Sequence, residues 1–164
     1  AKINYCILRY FNIAGSSLSG KIGLINKSDH LFKNYSREIL KKRPVFKVYG
    51  NNYDSKDGSC IRDFIHVSDI ADIHYKVLLK INKLNKSKIL NCGYNKGVSV
   101  LDVAKAFKKQ TSKNVKILVY KRRKGDLVKI IASNSKLKNF IKWKPKFNNL
   151  ETIVKSCINW EKRQ

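Results

Sequence analysis

The chain has 164 residues, 43% hydrophobic and 29% charged, a composition that supplies a folded core and excludes a disordered chain. No apolar run approaches the roughly 20 residues that span a bilayer as a helix, so no membrane partner is expected. The formal net charge of +25 suits polyanions, but 29 of the 36 basic residues are lysines scattered from end to end, and no zinc finger, RNP aromatic motif or basic heptad helix converts that charge into specific nucleic-acid recognition.

Residues 3–11 form a mostly apolar run, which predicts a strand covered on both faces in a parallel sheet and ending at Asn12 before the turn-prone Gly15-Ser16-Ser17. Ligands of open parallel sheets gather beyond the carboxyl ends of strands, so Asn12 is a candidate contact. A helix is expected from Ser28, with Ser28 or Asp29 as its cap and Leu31, Phe32, Tyr35 and Ile39 along one face, stopping before Pro44. Val45 to Tyr49 then reads as a strand.

Residues 50–60 are dense in Gly, Asn and Asp and read as a turn. The run 61–67 after it has the β-branched and aromatic character of a strand, with Arg62 at its entrance. Its planar, always charged guanidinium suits a phosphate, and the competing reading pairs it with Asp63 or Asp57. Ser68 can cap a second helix carrying Ile70, Ile73, Val77, Leu78 and Ile81 at helical spacing. Residues 83–88 form a solvated connection and 89–93 a short strand.

Ser99-Val100-Leu101-Asp102 matches the serine-to-acidic capping pattern, followed by Val103, Ala104 and Phe107 at helical periods. Residues 115–120 read as a strand that delivers the chain to a basic loop, Lys121-Arg122-Arg123-Lys124-Gly125-Asp126. One helix is expected around Leu137, Phe140 and Ile141, and another capped by Asn149 with Leu150, Ile153, Val154, Cys157 and Ile158 inward.

Cys6, Cys60, Cys92 and Cys157 are widely separated and lack CxxC spacing, so buried free thiols of a reducing, cytoplasmic compartment are expected. The first residues read as leading directly into a strand, so no secretory signal is expected. Asp63, His66, Asp69, Asp72 and His74 crowd into twelve residues but match no zinc or calcium signature; no metal is expected, and His66 is assigned to orienting the strand-to-helix turn.

Taken together, Leu8-Arg9-Tyr10-Phe11-Asn12, the segment 50–67 and Arg122-Arg123-Lys124-Gly125-Asp126 stand in an order and at a spacing that resemble the second half of the UDP-glucose 4-epimerases, within the extended short-chain dehydrogenase/reductase group. The likeness runs from about Tyr5 to Trp160. It implies an α/β fold: the C-terminal part of a Rossmann-type parallel sheet in residues 1–27, and a nucleotide-sugar-binding domain in residues 28–164, with some segments returning to the sheet.

The same resemblance implies a UDP-sugar site. Asn12 would reach the phosphate, His30 and Leu31 would contact phosphate and uridine, and Val48 and Tyr49 would lie along the uracil. Arg62 and Arg123 would hold the diphosphate, and Asp126 the ribose hydroxyls. Ile130 stands where a bulky residue excludes N-acetyl groups, which would admit UDP-N-acetylhexosamines. Residue by residue, Arg122-Arg123-Lys124 can also be a solvated charge run, His30 a helix-start residue bonding backbone, and Tyr49 ordinary core.

The resemblance also implies an NAD cofactor, yet the glycine-rich turn that receives its pyrophosphate is absent, Gly20-x-x-Gly23 being too weak a substitute. The family's tyrosine-to-lysine pair is missing too; Tyr120 and Lys124 fit the spacing only by chance, inside the basic loop. The chain is therefore expected to be the UDP-sugar-binding half of an epimerase, inactive alone, with NAD held mainly by a missing N-terminal half. That half or a homodimer partner is the expected macromolecular contact. Alternatives are a fragment of a UDP-N-acetylglucosamine 4-epimerase or another nucleotide-sugar epimerase or dehydratase, and, in another class, a noncatalytic basic nucleic-acid-binding protein.

Overall fold

The computed structural model describes residues 3–25 and 30–164. In chain order the elements are β1 (Cys6–Tyr10), β2 (Asn12–Ala14), α1 (Leu31–Leu40), β3 (Val45–Tyr49), β4 (Ile61–Arg62), β5 (Phe64–His66) and α2 (Val67–Ile81). They continue with β6 (Lys88–Cys92), β7 (Val98–Ser99), α3 (Val100–Lys108), β8 (Lys116–Tyr120), β9 (Lys129–Ile130), α4 (Ser135–Ile141) and α5 (Leu150–Glu161). Strands β1 and β6, β2 and β5, and β3 and β8 pair in parallel; β4 lies between antiparallel β7 and parallel β9. This is an α/β fold built on parallel pairs.

The core forms where α1, α3 and α5 pack over β3 and β5. Tyr35 stacks on Phe46 with ring centroids 4.3 Å apart, and Phe107 meets Phe32, Tyr35 and Phe46 edge-on. Such offset and edge contacts add to the area these rings remove from water. Ser99 caps α3 by accepting the Asp102 N–H, and Asn149 caps α5 by accepting the Thr152 N–H, as their sequences dictate.

Several expectations need correction. The first strand is neither continuous nor covered on both faces: the register sets Leu8 beside buried Leu90 but leaves Ile7 and Ile89 exposed on the opposite face. At Phe11 the chain changes partner, its N–H bonding the Cys92 carbonyl, while the next N–H, of Asn12, bonds that of Asp63 at 3.0 Å. Ser28 and Asp29 lie outside the described residues, and His30 occupies the N-cap position of α1. Ser68 lies inside α2; the cap is His66, whose Nδ1 accepts the Ser68 N–H at 3.1 Å. Because Nδ1 accepts, Nε2 carries the proton and donates to Ser156 Oγ at 3.3 Å.

The acidic residues near His66 organise loops. Asp63, fully buried, interrupts the run 61–67 and separates β4 from β5. Its carboxylate accepts the N–H groups of Tyr94 (2.9 Å), Asn95 (2.9 Å) and Ala132 (3.1 Å). Asp69 accepts the Tyr94 hydroxyl at 2.6 Å and the N–H groups of Lys146 and Phe147 at 3.0 Å each. Burial, reinforced by the Asp69 bond, raises the Tyr94 hydroxyl above its ordinary value. Burial also raises the free thiols, those of Cys92 and Cys157 to about 12.

Two outcomes follow from this packing. Asp63→Asn replaces one acceptor oxygen with a donor that faces an N–H, and should cost about 2–4 kcal/mol in urea denaturation; a loss under half a kcal/mol would show that the three bonds are incidental. Burial holds His30 and His66 below the ordinary imidazole value, although the Ile13 carbonyl and Asp69 respectively oppose it. The unfolded chain therefore binds protons that the folded chain refuses, and stability should fall as pH drops below about 6.5. His66→Asn, which retains a capping side chain, should flatten that decline in thermal melts between pH 7.5 and 5.5; an unchanged slope would assign it to other groups.

Candidate functional site

Strands β3 and β8 run side by side and end together, with Tyr49 opposite Tyr120 and their ring centroids 5.6 Å apart. Beyond these ends and along α1 lies a cleft of about 640 Å³. It is the position that an open parallel sheet offers a ligand. The described structure brings Asn12, His30, Leu31, Tyr49, Arg62, Arg123 and Asp126 to its wall.

Arg62 enters from the end of β4. Its Nη1 donates to the carbonyls of Ile61 (2.9 Å) and Leu127 (2.8 Å), and its Nη2 pairs with Asp126 Oδ1 at 3.3 Å. The partner is thus neither Asp63, committed to backbone amides, nor Asp57, which accepts from Ser59 and Ser99. Of the five guanidinium N–H groups, the Nε one and one on Nη2 have no partner among the described residues and are free to meet a ligand. Arg123 arrives from the loop after β8, its guanidinium 4.0 Å from the centre of the Tyr49 ring.

His30 both lines the cleft and bonds backbone, its Nε2 lying 2.6 Å from the Ile13 carbonyl. Since a carbonyl only accepts, this nitrogen carries the proton. Cys60 also lines the wall, but burial raises its thiol, which disfavours the thiolate that a nucleophile would need.

Two expected residues lie elsewhere. Val48 is fully buried: side chains alternate along β3, so Val45, Lys47 and Tyr49 face the cleft while Phe46 and Val48 enter the core. Ile130 lines a second hollow of about 500 Å³ together with Arg9, Tyr10, Phe11 and Asn91. Asn12 borders both hollows, at the point where the chain changes strand partner.

The sequence reading missed the far arm of the cleft, formed by Asn34, Arg37, Glu38, Lys41, Val45 and Lys47. The signal was available: from Leu31, steps of three, four and seven residues follow one helical face, and alternation along β3 selects its partners. The wall carries Arg37, Lys41, Lys47, Arg62 and Arg123 against Glu38 and Asp126, five cations to two carboxylates. A dianionic group is the chemistry this excess favours.

Comparison with known proteins places the chain in a family. The NAD dependent epimerase/dehydratase family matches residues 1–93. A UDP-glucose 4-epimerase of Azospirillum brasilense is 38% identical over 157 residues, covering 95% of this chain and 45% of that protein. Among solved structures, a UDP-glucose 4-epimerase from Stenotrophomonas maltophila with bound NAD and formylated UDP-arabinopyranose superposes with a TM-score of 0.92 at 29% identity, over 99% of this chain and 49% of that one. A UDP-Glc/GlcNAc 4-epimerase from Campylobacter jejuni gives 0.79 at 40% identity, over 98% and 49%. The chain spans about half the length of the curated relatives it matches. It belongs to the NAD dependent epimerase/dehydratase family.

Proposed function

We propose that this chain is the UDP-sugar-binding portion of a UDP-glucose 4-epimerase, an isomerase that interconverts UDP-glucose and UDP-galactose by oxidising and reducing the sugar C4 with bound NAD. The observation that carries this reading is the convergence of Asn12, Arg62 and the Arg123–Asp126 loop on one cationic cleft from three separate places in the sequence. Arg62 and Arg123 would take the diphosphate, the uncommitted oxygen of Asp126 the ribose hydroxyls, Tyr49 and the backbone at Val48 the uracil, and His30 and Leu31 the start of α1 beside the phosphate.

NAD would be held mainly by another part of the enzyme. The tight strand-to-helix turns β5 to α2 and β7 to α3 contain no glycine, and His66 and Ser99 cap them with side chains, so neither of these two forms a pyrophosphate cradle. NAD, when bound, supplies the hydride chemistry; this chain's part is to grip the nucleotide and present the sugar at the Asn12 hollow. The exposed Ile7 and Ile89 of the β1–β6 pair, and separately Tyr75, Leu78 and Leu79 along α2, offer apolar surface for an amino-terminal Rossmann half or, failing that, a second copy. No described helix is long and apolar enough to cross a membrane.

A second reading concerns the sugar. Ile130 borders the second hollow with a side chain that makes no hydrogen bond and leaves about 500 Å³ of space, which favours admission of UDP-N-acetylhexosamines beside UDP-hexoses. In an epimerase reconstituted with an N-terminal half, Ile130→Tyr should abolish turnover of UDP-N-acetylglucosamine and retain that of UDP-glucose; a reconstituted parent that turns over only UDP-hexoses would contradict this reading.

The direct test is calorimetric titration with UDP. Arg123→Met should weaken binding about 10- to 100-fold, the cost of losing a charge-assisted hydrogen bond. UDP at a hundredfold excess over its Kd should stabilise the parent by about 2.7 kcal/mol. Absence of a UDP effect, with salt-dependent binding to DNA in its place, would overturn the proposal in favour of a basic nucleic-acid-binding protein.

A further inference from the structure

Arg122 and Arg123 are adjacent in the loop after β8 but take different positions. Arg123 lines the cleft, whereas Arg122 lies outside its wall with its guanidinium 3.8 Å from the centre of the Tyr53 ring. Among the described residues no carboxylate pairs with Arg122, so the ring face is its partner. Tyr53 is itself fixed: it is 4% exposed, and its N–H donates to the Gly58 carbonyl at 2.9 Å, closing the turn that follows β3.

Gly50 permits this packing. A Cβ at that position would stand 2.4 Å from Tyr53 Cε2 and 2.8 Å from Arg122 Cγ, and its φ of +85° is one that glycine adopts without strain. Its N–H donates to the Tyr120 carbonyl at 2.8 Å, tying the end of β3 to the end of β8. The loop that follows has few anchors of its own, since residues 121–125 are exposed and a Cβ at Gly125 would meet nothing.

We propose that Arg122 is a positioning residue: stacked on Tyr53, it holds the loop so that Arg123 and Asp126 stand at the cleft before any ligand arrives. A loop ordered only on binding would subtract its lost conformational freedom from the affinity, and the stack removes that cost. The ligand side of this inference rests on the UDP-sugar reading; the clamp itself does not.

The test uses the full chain. Arg122→Met and Tyr53→Leu should each raise the Kd for UDP about three- to tenfold, in line with a partly desolvated cation-to-ring contact. The double variant should be no weaker than the worse single one, and Tyr53→Phe, which retains the ring, should bind like the parent. Without ligand, amide exchange at residues 121–126 should quicken in Arg122→Met while the core amides keep their protection. The proposal is overturned if Tyr53→Leu binds UDP like the parent while Arg122→Met does not, which would mean that Arg122 acts by charge alone. It is equally overturned if loop exchange is the same with and without Arg122. A parent that binds no UDP would refute the ligand assignment, and the exchange comparison would still decide the clamp.

Discussion

The buried carboxylate of Asp63 is the constraint on which the arrangement of this molecule depends. It lies where β4 gives way to β5, and its two oxygens gather three amide N–H groups from the segments after β6 and β9. Its own backbone joins one more segment, accepting from Asn12, and holds β9 a second time by donating to the Ile130 carbonyl at 3.1 Å. A carboxylate removed from water is stable only when its lone pairs are met, and meeting them here forces four stretches of chain to one point. Asn12, Arg62 and Ile130 are residues of that junction or its immediate neighbours. The places where strands exchange partners and the places a ligand can reach are consequently the same.

The cleft follows from this geometry and from charge. Parallel strands β3 and β8 end at Tyr49 and Tyr120, where the chain turns away and leaves an opening. Arg62 crosses that opening held by the Leu127 carbonyl and Asp126, and Arg123 rests on Tyr49 from the other side. Both guanidinium groups are placed by contacts that need no ligand, yet each retains donors to give one. The preorganisation is asymmetric, because Arg62 is anchored by backbone carbonyls and Asp126, and Arg123 by the face of the Tyr49 ring at the end of β3.

Much of this was legible in the sequence where short-range rules act. The caps Ser99 and Asn149, the strand Val45–Tyr49 and the turn after it follow from local chemistry and occur as read. What could not be read is what depends on partners distant in sequence. The strand split at Phe11 arises because Asn12 meets Asp63, 51 positions away; the His66 cap displaces Ser68 because the ring also reaches Ser156. The Val48 side chain enters the core for a simpler reason, since a strand's period of two puts it on the face opposite Tyr49, and the same rule would have supplied Lys47. Arg62, Arg123 and Asp126 could be named from the order of motifs, whereas the Arg62–Asp126 pair that links two of them required the fold.

The account stands on a single spatial assertion, that the guanidinium groups of Arg62 and Arg123 share one diphosphate. A crystal structure of this chain soaked with UDP tests it most directly. The account predicts phosphate oxygens within hydrogen-bond distance of both arginines and the ribose hydroxyls against Asp126. A nucleotide bound at another surface, or one whose phosphates touch neither arginine, would contradict it.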